Sequence, residues 1–206
     1  MFRRNFLKNS IYGSLSASTI ISLSNKNNPV VKSVPRIIPT WKHGINANKI
    51  AWKKLNDGKG GLTAVEYGVR DSENDPNERS VGYGGLPDRD GKVTLDACIM
   101  NSKNDCGSVS FLENIKNPIS VARLVMEKTP HVMLSGKGAY DFAIENGFKS
   151  ENLLTDQSKK DWENWLNKSE YKPVINIENH DTISMLLIDS DHNLFGACTT
   201  SGAAWK

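Results

Sequence analysis

The residues best suited to covalent chemistry are His180, Asp181 and Thr182, between a polar stretch, 170–179, and an apolar run, 183–188. The hydroxyl of a threonine is normally a weak nucleophile. A threonine that becomes a chain N-terminus, however, carries its own base, the α-amino group. Whether Thr182 acts as a nucleophile therefore depends on cleavage of the Asp181–Thr182 bond.

The elements that must position Thr182 form a predicted β-hairpin. Residues 183–188 and 194–200 are β-prone runs, and the polar residues 189–193 separate them. If the turn is centred on Asp191, paired residues have numbers that sum to 382, and Thr182 lies opposite Thr200 with Cβ atoms about 4.5–5.5 Å apart. A loop shifted by one residue brings Ser201 there instead. In either register Thr182 has a hydroxyl neighbour.

A purely structural interpretation of these residues stays open. Threonine is common in strands, Asp181 can form a turn hydrogen bond, and residues 199–202 can be a polar strand end. The residue pattern alone does not decide between this interpretation and catalysis.

The rest of the chain alternates strand and helix signals, which predicts a layered α/β or α+β domain. Extended segments are predicted at 34–41, 92–100 and 131–134. Helices are predicted at 47–55 after an Asn46 cap, at 62–69 with a Thr63–Glu66 capping box, at 119–126 after Asn117 and Pro118, at 139–143, and from Ser158 onwards.

Neither glycine-rich stretch carries a nucleotide-binding signature. No Gly-Lys-Ser/Thr follows residues 80–91, which lead into a predicted strand, and residues 136–138 are an equally weak dinucleotide signal. Metal-site spacing is absent, because there is no Cys-x-x-Cys and the histidines are scattered singly: His43, His131, His180 and His192. The sequence therefore predicts no metal and no organic cofactor.

Residues 1–24 are predicted to be a signal peptide. A basic start containing Arg3, Arg4 and Lys8 precedes a short apolar run and small residues suited to cleavage. We therefore expect an exported protein, periplasmic or secreted, by ordinary secretion or by the twin-arginine route that Arg-Arg-x-Phe-Leu-Lys resembles. Without this segment, the number of Lys and Arg residues falls from 26 to 23 and equals the 23 Asp and Glu residues. A net charge of zero favours neither a nucleic-acid nor a membrane partner.

The three cysteines are Cys98, Cys106 and Cys198, so at least one of them is unpaired within the chain. Cys98 and Cys106 are close enough in sequence for a disulfide that closes a small loop. Reduced, buried thiols are the alternative.

Several motifs occur in an order that resembles the glycosylasparaginases, N-terminal nucleophile hydrolases with a four-layer αββα sandwich. The motifs are His180-Asp181-Thr182, the run Gly-Ala-Cys-Thr-Thr-Ser-Gly at 196–202, the glycine-rich 80–85 with Pro87 and Asp88, and the stretches 117–123 and 126–133. The resemblance covers residues 41–206. In the related plant-type asparaginases and isoaspartyl peptidases a different pair precedes the threonine, so His-Asp-Thr favours glycosylasparaginase.

The resemblance implies that the chain cleaves itself. The Thr182 hydroxyl attacks the Asp181 carbonyl, with Asp181 as the base and His180 holding the turn. Hydrolysis of the resulting ester then separates an α-subunit region, 25–181, from the start of a β-subunit region, 182–206. The family precedent also implies an α/β dimer.

The resemblance implies roles in the reaction as well. The freed Thr182 amine, with a reference pKa of about 7.7–8.0, accepts the hydroxyl proton, and the hydroxyl attacks the side-chain amide of an N-glycosylated asparagine. Thr200 positions the nucleophile, Trp41 lies near the substrate pocket and Ser80 is a weaker supporting candidate. For Trp41 the alternative is core packing.

The chain departs from the family in length. Family members continue with an Arg and an Asp that bind the substrate and a Thr-Gly pair that forms the oxyanion hole, and the sequence ends before these positions. We therefore expect an α+β fold in which the αββα sandwich is incomplete at its C-terminal end. Either the sequence is a fragment of a longer protein, or a separate chain supplies the remainder. A β-aspartyl peptidase or L-asparaginase on the same fold, and an inactive remnant that only binds, are the alternatives.

Overall fold

The computed structural model describes residues 32–168 and 182–206. Within them, Ser33–Lys206 group as one unit. The predicted signal peptide, 1–24, and the residues His180 and Asp181 lie outside the described residues.

The described residues form six strands and five helices. In chain order they are β1 (Arg36–Pro39), α1 (Gly44–Asn56), α2 (Gly61–Asn74), β2 (Thr94–Met100), β3 (Cys106–Glu113), α3 (Pro118–Lys128), β4 (Met133–Ser135), α4 (Gly136–Glu145), α5 (Asp156–Lys168), β5 (Ile183–Ile188) and β6 (Leu194–Thr200).

All six strands belong to one mixed sheet in the order β1-β5-β6-β2-β3-β4. Only β3 and β4 pair in parallel; the other neighbours are antiparallel. The hairpin β5–β6 therefore lies in the middle of the sheet, between strands that precede it by 80 or more positions in sequence. This placement positions the candidate site, because each strand of the hairpin pairs with a strand from the first half of the chain.

Helices pack against one face of the sheet, and the other face is exposed. On one face, α1 to α4 pack against strand residues to form the core, whose fully buried members include Val65, Ile119, Met185 and Leu187. The opposite face, which we call the open face, carries exposed Ile38, Met100, Leu186 and Leu194. This asymmetry follows from the alternation of side chains along each strand.

The predicted α+β class is confirmed, and so is the hairpin. Its strands have the predicted bounds, and its pairs, such as Ile183 with Thr199, have numbers that sum to 382. The described residues contain one sheet, so the second sheet of a four-layer sandwich is not among them. No helix within the described ranges has both the length and the apolar character that crossing a membrane requires.

The predicted caps of the first two helices are wrong. The first helix begins at Gly44 rather than after Asn46, because a turn at Trp41 already starts the hydrogen-bond pattern, with Gly44 N–H donating to the Trp41 carbonyl at 3.2 Å. The second begins at Gly61, so Thr63 and Glu66 form no capping box. Both side chains instead bind Arg123 of α3, at 3.0 and 2.8 Å.

Candidate active site

Thr182 immediately precedes β5, and its side chain meets the end of β6. Thr182 Oγ1 donates a hydrogen bond to Thr200 Oγ1 at 3.1 Å, and both residues are half-buried. The hairpin register produces this contact, because the pair Ile183–Thr199 places Thr182 one step further along, opposite Thr200. The hydroxyl neighbour expected from the sequence is therefore Thr200 rather than Ser201.

Thr40 fixes the backbone around Thr182 from the other side. Its hydroxyl donates to the Thr182 carbonyl at 3.0 Å and accepts from Ser184 N–H at 2.9 Å, and its own N–H donates to the Ser184 carbonyl at 2.9 Å. Thr40 directly follows β1, which pairs with β5. One hydroxyl thus bridges two backbone groups that flank Ile183.

Thr200 is held by backbone groups of two loops. Its Oγ1 accepts a hydrogen bond from Gly202 N–H at 2.9 Å and lies 3.4 Å from the carbonyl oxygen of Ser80. The same Ser80 carbonyl accepts from Ser201 N–H at 2.7 Å. Ser80 therefore contacts Thr200 through its main-chain carbonyl. The chemistry of a serine side chain gave no indication of this main-chain role.

A buried carboxyl lies beneath this end of β6. Glu73, which is 0% exposed, accepts hydrogen bonds from Thr199 Oγ1 at 2.8 Å, Ile119 N–H at 3.0 Å and Asn117 Nδ2 at 3.1 Å. Burial raises the pKa of Glu73 to about 8, although these hydrogen bonds and the charge of Arg70 oppose the rise. Glu73 thereby connects α2, the start of α3 and the residue before Thr200.

Asp96 of β2 lies next to the threonine pair on the open face. It is the direct register partner of Thr200, and its carboxylate accepts a hydrogen bond from Phe111 N–H at 2.9 Å. Phe111 has φ +51°, within the irregular stretch where the β2–β3 register shifts. The irregularity turns the Phe111 N–H toward Asp96, which places a carboxylate beside Thr200.

Trp41 is exposed, so it is not a core residue. Its backbone has φ +60°, a left-handed conformation that is costly for a bulky residue. Trp41 borders a cleft of about 440 Å³, and Thr182 is not among the residues that line it. The link between the cleft and Thr182 is instead Thr40, the residue that precedes Trp41. The other lining residues are Lys42, His43, Asn46, Asp71, Ser72, Asp75 and Glu78.

The cleft has an acidic character. Its three carboxylates, Asp71, Asp75 and Glu78, outnumber its one lysine, and burial together with the charge of Asp75 raises the pKa of Asp71. His43 Nδ1 lies 2.9 Å from Ser72 Oγ. Such a cleft suits a ligand that carries hydroxyl or ammonium donors.

The described residues contain no group of three or more His, Cys, Asp or Glu side chains placed to hold a metal ion. The hydrogen-bond partners found for the Thr182 and Thr200 hydroxyls are hydroxyl, carbonyl and N–H groups, and none is a histidine or a carboxylate. Among the described residues, no hydrogen-bonded side chain offers the Thr182 hydroxyl a base; an α-amine at residue 182 is a group that can act as one.

The structure thus brings together Thr182, Thr200 and, through its carbonyl, Ser80. It places Trp41 one residue from Thr40, and His180 and Asp181 lie outside the described residues. The sequence did not predict that Thr40, Glu73 and Asp96 contribute to the site around Thr182 and Thr200. For Thr40 the only signal was its place before Trp41. Glu73 lies beyond the predicted helix 62–69, in a stretch expected to be a loop, whereas the helix extends to Asn74. An acid inside a predicted strand, such as Asp96, carries no sign of its partners.

The comparisons with known proteins agree with this architecture. Residues 38–206 match the family described as Asparaginase. The chain is 56% identical over 210 residues to the N(4)-(Beta-N-acetylglucosaminyl)-L-asparaginase of Elizabethkingia miricola, covering 99% of this chain and 61% of the relative. It is 34% identical over 217 residues to the protein of the same name from Rattus norvegicus, covering 90% of this chain and 61% of the relative. The chain thus spans about three fifths of the length of these relatives.

Proposed function

Because this chain belongs to the asparaginase family, we propose that it hydrolyses the side-chain amide of N-glycosylated asparagine, with Thr182 as the nucleophile. The observation that carries the proposal is the 3.1 Å hydrogen bond between the hydroxyls of Thr182 and Thr200 at the start of a central strand. The names of the relatives support glycosylated asparagine as the substrate rather than an isoaspartyl dipeptide.

The proposed activity requires cleavage of the Asp181–Thr182 bond. In our proposal the Thr182 hydroxyl attacks the carbonyl carbon of Asp181, the peptide nitrogen leaves as the α-amine of Thr182, and water hydrolyses the resulting ester. Thr40 supports this step, since its bonds to the Thr182 carbonyl and to Ser184 N–H fix the backbone that carries the attacking hydroxyl. Cleavage generates a base, the Thr182 α-amine, on the same residue as the nucleophile.

Amide hydrolysis would then proceed in two steps. The Thr182 hydroxyl gives its proton to the α-amine and attacks the side-chain amide carbon, and the departing glycosylamine nitrogen takes that proton. Water next hydrolyses the aspartyl ester, with the same amine as base, and releases aspartate. The α-amine suits this work because its reference pKa of about 7.7–8.0 is close to neutral pH.

The cleft beside Trp41 is the proposed location of the sugar. The carboxylates of Asp71, Asp75 and Glu78 can accept hydrogen bonds from sugar hydroxyls, and the exposed indole of Trp41 offers an apolar surface for a sugar ring. Thr40, which precedes Trp41 and hydrogen-bonds to the Thr182 carbonyl, connects this cleft to the nucleophile through the main chain.

Intact-mass spectrometry tests the cleavage. Two forms are compared: the chain alone, and the chain extended by the part of the Elizabethkingia miricola relative that lies beyond the matched region. We expect the extended form to yield a fragment that begins at Thr182, and Thr182→Ala to stay whole. The proposal fails if both forms remain uncut, or if Thr182→Ala is cut at the same rate.

Product analysis tests the substrate. We expect the cleaved protein to release aspartate from N(4)-(β-N-acetylglucosaminyl)-L-asparagine faster than from L-asparagine or from a β-aspartyl dipeptide. A preference for the dipeptide would assign the protein to the alternative enzyme of the same fold.

Two further proposals concern the whole protein. We propose that residues 1–24 direct export to the periplasm or the medium, and N-terminal sequencing of protein recovered there should begin near residue 25. We also propose an α/β dimer, which light scattering of the cleaved protein would measure. Cytoplasmic retention of the intact chain, or a monomer after cleavage, would contradict them in turn.

A further inference from the structure

Two cysteines on the open face lie directly opposite one another on neighbouring strands. Cys98 of β2 and Cys198 of β6 are register partners, so both side chains project from the same face of the sheet. Opposed residues of an antiparallel pair have Cα atoms about 4.5 or 5.5 Å apart, depending on the position in the ladder. Both spacings lie within the 4.4–6.8 Å range that a disulfide spans.

The third cysteine is less well placed for either partner. Cys106 of β3 pairs with Met100, so it lies diagonally from Cys98, at a distance of about 7–8 Å. Cys198 is two strands away from Cys106. The loop-closing Cys98–Cys106 disulfide considered from the sequence therefore has poorer geometry than Cys98–Cys198. All three thiols are free here, and Cys98 and Cys106 are exposed rather than buried.

We propose that Cys98 and Cys198 are a redox site that closes to a disulfide in an oxidising environment. With glutathione disulfide as oxidant, one thiolate attacks a glutathione sulfur and releases a glutathione thiolate. The second cysteine then displaces the other glutathione. Overall, two cysteine thiols and one glutathione disulfide give the Cys98–Cys198 disulfide and two glutathione thiols, so the protein pair is oxidised and glutathione is reduced.

The surroundings favour Cys198 as the attacking group. Contact with the neighbouring Cys98 thiol and with Ser184 Oγ, which lies 3.2 Å from its sulfur, lowers the pKa of Cys198 to about 6 despite partial burial. The same contact raises the pKa of Cys98. Cys198 thus holds the larger thiolate fraction near neutral pH, and the exposed Cys98 then closes the bond.

The position of the pair in the chain gives the disulfide a role. Cys98 precedes Thr182 and Cys198 follows it, so the bond would link the two segments that cleavage before Thr182 separates. This role rests on the proposed function. The formation of the disulfide does not, because the pairing geometry needs no cleavage.

Peptide mapping tests the pairing. The reduced protein is incubated with glutathione disulfide, remaining thiols are blocked with N-ethylmaleimide, and the chain is digested with trypsin without reductant. Trypsin places each cysteine on a separate peptide, residues 93–103, 104–116 and 169–206. The third peptide begins at residue 169 rather than 173 because Pro173 protects Lys172 from cleavage. We expect 93–103 linked to 169–206 and a single maleimide on 104–116. A link between 93–103 and 104–116, or three blocked thiols, would overturn the proposal.

The same mapping in concentrated urea is the matched control. In an unfolded chain the nearer pair closes more readily, since loop-closure entropy favours a separation of eight residues over one of a hundred by roughly fortyfold. We therefore expect 93–103 linked to 104–116 in urea and to 169–206 in the folded protein. The same linkage under both conditions would show that the fold does not direct the pairing.

Three variants separate this inference from the proposed function. Cys106→Ser should still form the linkage and Cys198→Ser should not. Thr182→Ala should form it to the same extent as the wild type while remaining uncut, which isolates the pairing from cleavage. If the wild type is cut, its two segments should run together in a non-reducing gel and separate after reduction; separation without reductant would refute the link.

Discussion

The hydroxyl of Thr40 donates a hydrogen bond to the carbonyl oxygen of Thr182 at 3.0 Å, across 142 positions of sequence. The hydroxyl oxygen of Thr40 also accepts a hydrogen bond from Ser184 N–H at 2.9 Å. Thr40, which lies outside the His-Asp-Thr motif, therefore holds the backbone on both sides of Ile183. Substitutions at position 40 test how much these hydrogen bonds matter for Thr182.

Thr40→Val should slow cleavage before Thr182 by about fivefold, because the loss of a hydrogen-bonded hydroxyl costs about 1 kcal/mol and each 1.4 kcal/mol is tenfold in rate. Thr40→Ser keeps the hydroxyl and should stay within about twofold of the wild type. The rates are measured by intact mass on the extended chain. Equal rates for Thr40→Val and Thr40→Ser would show that the bridge does not position the nucleophile.

Thr200→Val should reduce both cleavage and amide hydrolysis, because it removes the acceptor of the Thr182 hydroxyl while keeping the shape of the side chain. We expect a loss of about fivefold in kcat, from the same cost of about 1 kcal/mol, and recovery with Thr200→Ser. Comparing kcat with KM makes the test specific: an increase confined to KM would place Thr200 in substrate binding instead.

The buried carboxyl of Glu73 should make stability depend on pH. Because folding raises its pKa to about 8, the protonated form is favoured in the folded state, and its contribution is fully present below the ordinary pKa of 4.5. That contribution, on the order of a few kcal/mol, is lost as pH rises through about 8. Urea unfolding of wild type and Glu73→Gln at pH values from 5 to 9 measures it. Parallel curves for the two proteins would contradict the assignment.

Gly107→Ala should destabilise the fold, because the added Cβ would lie 2.2 Å from the backbone oxygen of Ala122 in α3. We expect a loss of about 1–3 kcal/mol in the free energy of unfolding. Gly138→Ala is the matched control: its Cβ meets nothing within 4 Å, and it lies within α4, so it should stabilise by roughly 0.5–1 kcal/mol. Urea titrations of both variants measure these changes in the free energy of unfolding. An unchanged free energy of unfolding in Gly107→Ala would mean that α3 can move away from β3.

The sequence predicts the hairpin and its register well because the signals are local. Two β-prone runs and a short polar turn are enough to set the sum of 382 and hence the Thr182–Thr200 contact. The strand β3 was missed because Cys106-Gly107-Ser108 opens it with small residues that carry little strand propensity.

The long-range partners of the site were not predictable from one sequence. Thr199 reaches Glu73 across 126 positions, and Thr182 reaches Thr40 across 142. Strand and helix periodicity indicate which face of an element is buried, but they do not record which distant strand becomes its neighbour. The order β1-β5-β6-β2 supplies that information.

The central position of β5 and β6 also constrains when the site can form during synthesis. Strand β1 is made early, but its neighbour β5 is translated about 150 residues later; β2 can pair early with β3 but meets β6 only about 100 residues later. Thr182 meets Thr200 only after the ribosome has added β6. A nascent chain therefore cannot assemble the threonine pair ahead of time, and cleavage before Thr182 should follow the synthesis and pairing of β6.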